Sequence, residues 1–481
     1  MMLARALLCL GLAVPFARPL AAQAAPSGRC RFIFDNIPTS HLFTVKLPSG
    51  QYNSYIGGGV VARCPAQGLV FKADSLEAYG DEDRYFFIGN VDYREPRLTL
   101  RSDSLTYFQR DERLLALNDV DAQLPSGSNL KGPQLEFWRA IPPPNAREQH
   151  GTAISRPTIT IIERDSAGNP QPPVTVTGNT VWLNGDSVVA SSGQVVVVRP
   201  ELTASGDSLY LDGGSGLLRM MRSPRVVGTK GRPFTLVGET IDVLSKERKV
   251  NRVLAKTRGE AVSRDLDLKA DTIDLRIANE ELQRAIAWGK SRARAVSSTQ
   301  SILADSVDVL MPNQRLEEMH AVGEAVTDAA ADTVRFRTEE RDRLTGDTIV
   351  AHFDTAASQL RDTTSKPKIT LLVSSGHATS LQHLPPRDTT LRTPAIVYVT
   401  GRQITVRFDS GAVQRVKVED EDLAAGIYLE PDSARARKKG AVSASPARTP
   451  APAPSQAPSR SPSPAPASAV PLPAAAPPKK P

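Results

Sequence analysis

The side chains whose types and spacing could do chemistry are carboxylates. Asp74, Asp103, Asp186, Asp207, Glu239, Asp271, Asp305 and Asp347 recur along the chain, each preceded by a small residue and followed by Ser or Thr. Such a row could cleave a polysaccharide, because glycoside hydrolysis runs on paired acids. Recurrence argues against that reading. A catalytic pair is needed once, whereas Asp and Ser bond the exposed backbone of a bend at every bend. Six histidines (His41, His150, His320, His352, His377, His383) are scattered and form no H-E-x-x-H pattern. There is also no G-x-S-x-G elbow, P-loop or Rossmann fingerprint. No catalytic residue, metal ligand or cofactor is nominated, and the chain reads as a non-enzyme.

The elements that carry these acids follow from Leu98 to Tyr107. Leu98 and Leu100 are two apart, as in a half-buried strand, and so are Leu105 and Tyr107, but the parity changes between the pairs. The chain must bulge at Ser102-Asp103-Ser104 for both pairs to reach one core. The same pattern recurs at small corner residues Ala73, Ser102, Gly132, Gly185, Gly206, Gly238, Ala270, Ala304, Gly346 and Gly401. Three residues after each stands an apolar follower: Leu76, Leu105, Leu135, Val188, Leu209, Ile241, Ile273, Val307, Ile349 and Ile404. Most corners lie about 30 residues apart, the signature of a repeat architecture. The two longest gaps, after Gly132 and Gly346, have room for a degenerate copy. A second recurring feature is a Gly shortly before Val, at Gly89, Gly178, Gly259 and Gly323. The stretches Asn279 to Trp288 and Gln314 to Val322 have helical composition. The repeat register makes them strands, since local propensity is a weak prior.

Residues 1–24 hold Arg5, an apolar run from Ala6 to Phe16 and a small-x-small site at Ala22-Gln23-Ala24, which reads as a cleaved secretory signal. Export leaves Cys30 and Cys64. In an oxidising compartment they are most simply one disulfide, a free or redox-active pair being the alternative. The net charge of +7 sits in two places. Residues 431–481 carry +7 and the signal +2, which leaves −2 on residues 25–430. The body is thus no nucleic-acid surface.

The chain divides into the signal, an N-terminal cap at 25–68, repeats at 69–140, a Pro- and turn-rich insertion or join at 141–173, further repeats at 174–430, and the tail. The tail is basic and rich in Pro, Ala and Ser, so it cannot bury a core and is expected to be disordered. The repeats predict an all-β body of stacked antiparallel strands around a lengthwise apolar interior, a jelly roll or flattened coil.

Phe71 to Tyr79, Phe87 to Val91 and Leu98 to Tyr107 resemble the Ala-Asp-x-Leu and Gly-Asn-Val signature of OstA-like proteins. That family includes the periplasmic bridge of lipopolysaccharide transport and the periplasmic domain of its outer-membrane translocon. The resemblance is strong over roughly 69–138 and extends as repeats to about 354. It implies tandem β-jelly rolls whose interior shields the acyl chains of lipopolysaccharide or a related glycolipid. It also implies strand addition to other jelly-roll transport proteins of the inner and outer membranes, with self-association as a further option. On this reading Leu105, Leu236, Ile241, Leu268, Ile273, Leu275 and Ile349 line a lipid groove, and the location is the periplasm, toward the outer membrane. The alternative is an envelope assembly protein with an ordinary core and adhesive strand edges.

Overall fold

In a computed structural model, Leu98–Phe108 is one strand that turns its other face inward at Ser102-Asp103-Ser104. Leu98, Leu100, Leu105 and Tyr107 are all buried. The ladder to Arg113–Gln123 slips between Arg101 and Ser104, the bulge that the parity change requires. The structure describes residues 30–431 apart from 144, 163, 165–167, 186, 232, 298–299, 331–337, 355–366, 389, 410–411 and 420–423. The signal, the tail and Asp186 therefore lie outside the described residues.

The described body is all-β and antiparallel, with thirty strands and two short 3-10 turns. Each long strand serves two sheets. Val174–Thr177 pairs with Thr158–Ile161 and with 196–198, while its continuation Thr180–Asn184 pairs with His150–Ile154 and with 188–192. The halves before and after a corner face each other across the core. Phe71, before its corner, stacks at 4.5 Å on Phe87 and lies 5.5 Å from Tyr107, both in the opposite sheet. One apolar cluster runs unbroken from Cys30 to Val406. The two sheets are joined by backbone along the corner edge, and their free rims meet at a seam on the opposite side.

At most described corners a left-handed bend in the next strand answers the carboxylate. Gly89-Asn90, Asn118-Asp119, Gly193-Gln194, Arg222-Ser223, Thr257-Arg258, Gly323-Glu324 and Gly376-His377 are consecutive pairs with φ between 41° and 88°. They insert an extra residue opposite the corner, so the second strand bends where the first does. Asp74 accepts a hydrogen bond from Asn90 (2.8 Å), and its own N–H donates to the Gly89 carbonyl (3.0 Å). Asp207 faces Arg222, and Glu239 pairs with Arg258. Asp271 Oδ2 accepts from the N–H groups of Lys290 (2.6 Å) and Ser291 (2.8 Å). The recurring Asp and the left-handed Gly are thus two halves of one device.

The structure corrects several expectations. Gly185 is no corner, because it belongs to the turn joining Thr180–Asn184 to Val188–Val198. The corner there is Gly178-Asn179, with the amide in the carboxylate's place and Val181 as the buried follower. Gly178 and Gly259 are accordingly not left-handed bends like Gly89 and Gly323. The long gaps contain no hidden corner among the described residues, only lengthened connections around His150–Ile154, Thr158–Ile161 and Ile369–Leu384. The 141–173 segment supplies two of these strands and carries the sheet across. Glu281–Val296 and Glu318–Ala330 are strands, as the repeat register requires, but Gln314 belongs to the 3-10 turn Pro312–Gln314 and residues 315–317 are not strand. Asn279-Glu280, with φ of 53° and 64°, is a two-residue hairpin turn of the type that favours Asn.

A Cβ at Gly323 would lie 2.2 Å from Asp305 Oδ2, whereas one at Gly185 meets nothing within 4 Å. Both glycines have positive φ. Gly185→Ala is expected to cost about 1–2 kcal/mol from backbone strain alone. Gly323→Ala should cost more, because the corner carboxylate must also move. Urea unfolding of the two variants measures the difference.

Candidate functional site

The seven groove candidates, Leu105, Leu236, Ile241, Leu268, Ile273, Leu275 and Ile349, all point between the sheets and are all buried. Around them the described side chains pack closely. Leu268 and Leu275 border a void of about 20 Å³ with Phe234, Leu266, Leu282 and Met311, room for about one water. The chemistry of the interior changes along its length. It is aromatic at the N-terminal end, where Phe71 also lies 4.7 Å from Tyr93, and aliphatic in the middle. Toward the C-terminal end, Ser374, Ser380 and Gln382 face inward and are buried.

The seam is closed by side chains, and among the described residues no ladder crosses it. Cys30 and Cys64 form a disulfide with a Cα separation of 5.7 Å. Cys64 stands on one rim, and the Cys30 carbonyl accepts from Gln109 on the other. Next along the seam, Arg139 reaches across to Glu95 (2.7 Å) and Gln67 (2.8 Å) while also holding Glu112 on its own rim. Tyr107 donates to the same Glu112 (2.8 Å). Burial opposes the charge of Arg139, but Tyr93, Glu95 and Glu112 outweigh it and raise its pKa, so the clasp stays ionic. Burial and then Glu112 likewise raise Tyr107, which stays a donor. Farther on, Arg199 donates to the Arg248 carbonyl (3.1 Å), Lys230 pairs with Glu280, and Gln314 donates to the Lys230 carbonyl (3.4 Å).

The repeated acids are dispersed. Successive corners stand two strands apart, about 9–10 Å, wider than the about 5–5.5 Å of a retaining pair and at the upper limit of the about 6.5–9.5 Å of an inverting one. Those with contacts described above spend them on the neighbouring bend. Of the histidines, only His320 and His352 come together among the described contacts. His150 stacks on Trp138, His320 and His352 share Glu318, His377 meets Asp347, and His383 lies between Asp342 and Glu340. Among the described residues no group of three His, Cys, Asp or Glu could hold a metal ion, and no helix is long and apolar enough to cross a membrane.

Sequence reasoning missed a second row of acids. Asp242, Asp274 and Asp308 lie on the outer face of the sheet formed after the corners. Arg219 and Lys256 hold the first, Arg252 and Arg276 the second, and Arg284 the third. The signal was available, since each is the fourth residue after its corner. Burial pushes Asp242 up, and Arg219 and Lys256 overcome it, leaving its pKa below the ordinary value. Asp271 is lowered chiefly by the Ser291 N–H.

No family model matches the chain, and no curated protein matches it.

Arg139→Met should destabilise the fold by about 3 kcal/mol, the lower end for a broken buried pair, since it strands the part-buried carboxylates of Glu95 and Glu112. Arg63→Ala, which breaks the exposed pair with Asp35, should cost under about 1 kcal/mol. Urea titration separates them. Carboxylates with lowered folded pKa contribute stability that is present above their unfolded value and lost as pH falls through the folded one. The urea midpoint should therefore hold from neutrality to about pH 4 and then fall, less steeply in Asp242→Asn.

Proposed function

We propose that this chain is a non-enzymatic lipid-transfer bridge of the OstA-like kind. It carries lipopolysaccharide or a related glycolipid through the periplasm toward the outer membrane. One observation carries the reading. The continuous apolar interior is bounded on one side by covalently bent strands and on the other, among the described residues, by side-chain clasps and the Cys30–Phe34 segment. The sheets can therefore part at the seam without breaking a single ladder among the described residues. Acyl chains entering there are held by area, at about 25 cal/mol per Å², and with no directional bond they slide along the interior while the sugars stay in water.

The edges of the stack supply the partner contacts. His41–Lys46 is exposed along its whole length, with Leu42, Phe43 and Val45 open to solvent. At the other end Ala425–Leu429 is equally open, with Ile427, Tyr428 and Leu429 exposed. Unpaired apolar edges accept strands from another sheet. On this reading they receive jelly-roll partners of the inner and outer membranes, or a second copy. The closely packed interior favours a second reading, an envelope assembly protein that uses these edges alone.

Photo-crosslinking in cells decides between them. A benzophenone amino acid is placed singly at inward Leu105 or Ile273 and at outward Thr106 or Lys269. Asp274 is a poor outward control because Arg252 and Arg276 cover it. Lipopolysaccharide adducts at the inward sites only are expected. Adducts at none of the four, in a folded and exported chain, would leave the assembly reading.

A further inference from the structure

The N-terminal end of the interior is closed by something other than a repeat. Residues Cys30 to Phe34 cross the seam there, and the Phe32 ring enters the aromatic end of the core. Its centroid lies 4.6 Å from Tyr85, 5.5 Å from Phe71 and 6.0 Å from Tyr107, edge-on to all three. At the opposite end Phe408 packs against the core without being fully buried. Val413, Val416 and Val418 face inward there only partly covered.

Besides the covalent bond and the Phe32 ring contacts, this segment is held by Gln109 on the Cys30 carbonyl and by the Asp35 N–H on the Val61 carbonyl (3.0 Å). Ile33–Phe34 forms only two ladder pairs, with Arg63 and Ala62, and both side chains are largely exposed. The Asp35 pair with Arg63 is exposed and contributes little. Cys64, by contrast, is fully buried on a strand of the core sheet. The disulfide thus anchors the segment carrying Phe32 to a buried strand.

We infer that Cys30–Phe34 is a disulfide-tethered stopper over an acceptor site for an apolar acyl chain, walled by Phe71, Tyr85 and Tyr107, and that releasing Phe32 opens it. The inference rests on the lipid reading above and adds to it a gate at the N-terminal end, which admits a chain only on release. Opening the bond is a thiol–disulfide exchange with a dithiol. The dithiol's first thiolate attacks one sulfur and displaces the other cysteine, and its second thiolate then displaces the first. The dithiol leaves as its own disulfide, and Cys30 and Cys64 end as thiols, having gained two electrons and two protons between them.

The test uses the full chain with a benzophenone amino acid at Tyr85 or, separately, at Val416, and radiolabelled palmitate as the probe. In the oxidised protein, adducts are expected at Val416 and barely at Tyr85. Dithiothreitol, or the Cys30→Ser/Cys64→Ser variant, should raise Tyr85 adducts about tenfold, as when a closed stopper leaves roughly a tenth of chains competent. Phe32→Ala should do the same with the disulfide intact, which separates loss of the ring from loss of the fold. Adducts at Val416 with Tyr85 unresponsive to all three treatments would overturn the stopper and leave the lipid reading standing. Adducts at neither position in any form would overturn both.

Discussion

The architecture depends on making two neighbouring strands bend at the same place. A bent strand alone would tear its ladder, because its partner would run straight on. Here a carboxylate at one corner sits against a pair of left-handed residues in the next strand, and the extra residue lets that strand follow the bend. Asp305 over Gly323 and Asp347 over Gly376 show how close the contact is, with no room for a Cβ. Where the bend uses side chains other than glycine, as at Arg222-Ser223 and Thr257-Arg258, the strain is retained and the acid bonds the side chain instead. Repeating this device about every 30 residues turns a simple up-and-down meander into two facing sheets.

That asymmetry separates the two long sides of the molecule. The corner side is backbone and cannot open without unfolding. The seam side is a series of independent polar clasps, each linking only a few residues, and their character changes along the chain. Near the N-terminus the closures are a disulfide and a buried ionic cluster around Arg139, both costly to break. Toward the middle they become single hydrogen bonds and an exposed pair. A seam built this way opens locally before it opens globally, in keeping with the general gradation of stability within folded proteins.

The outer faces follow the same logic. Asp242, Asp274 and Asp308 are buried or half-buried though they face away from the core, because the arginines of neighbouring strands lie over them. These cross-strand pairs fix the register of the middle repeats, where the aliphatic interior is least specific about alignment. The aromatic end has less need of them, since its rings interlock.

Much of this was legible in the residues. Alternation gave the strands, the parity change at Ser102-Asp103-Ser104 gave the bulge, and the small residue with its acid gave the corners, because all three depend on neighbours a few positions away. Gly185 was misread as a corner because a hairpin turn and a corner demand the same local chemistry, a small flexible residue beside an acid and a hydroxyl. What the chain could not reveal on its own is which acid meets which bend, which rim residues clasp, and that Phe32 fills the end of the core. Those contacts join residues from about 15 to more than 80 positions apart, and their partners are selected by strand stacking. The order of strands, their bends and the apolar lining were thus determined by local sequence. The closed seam, the packed interior and the tethered end were decided only when the two sheets came together, since each requires the opposite sheet as its surface.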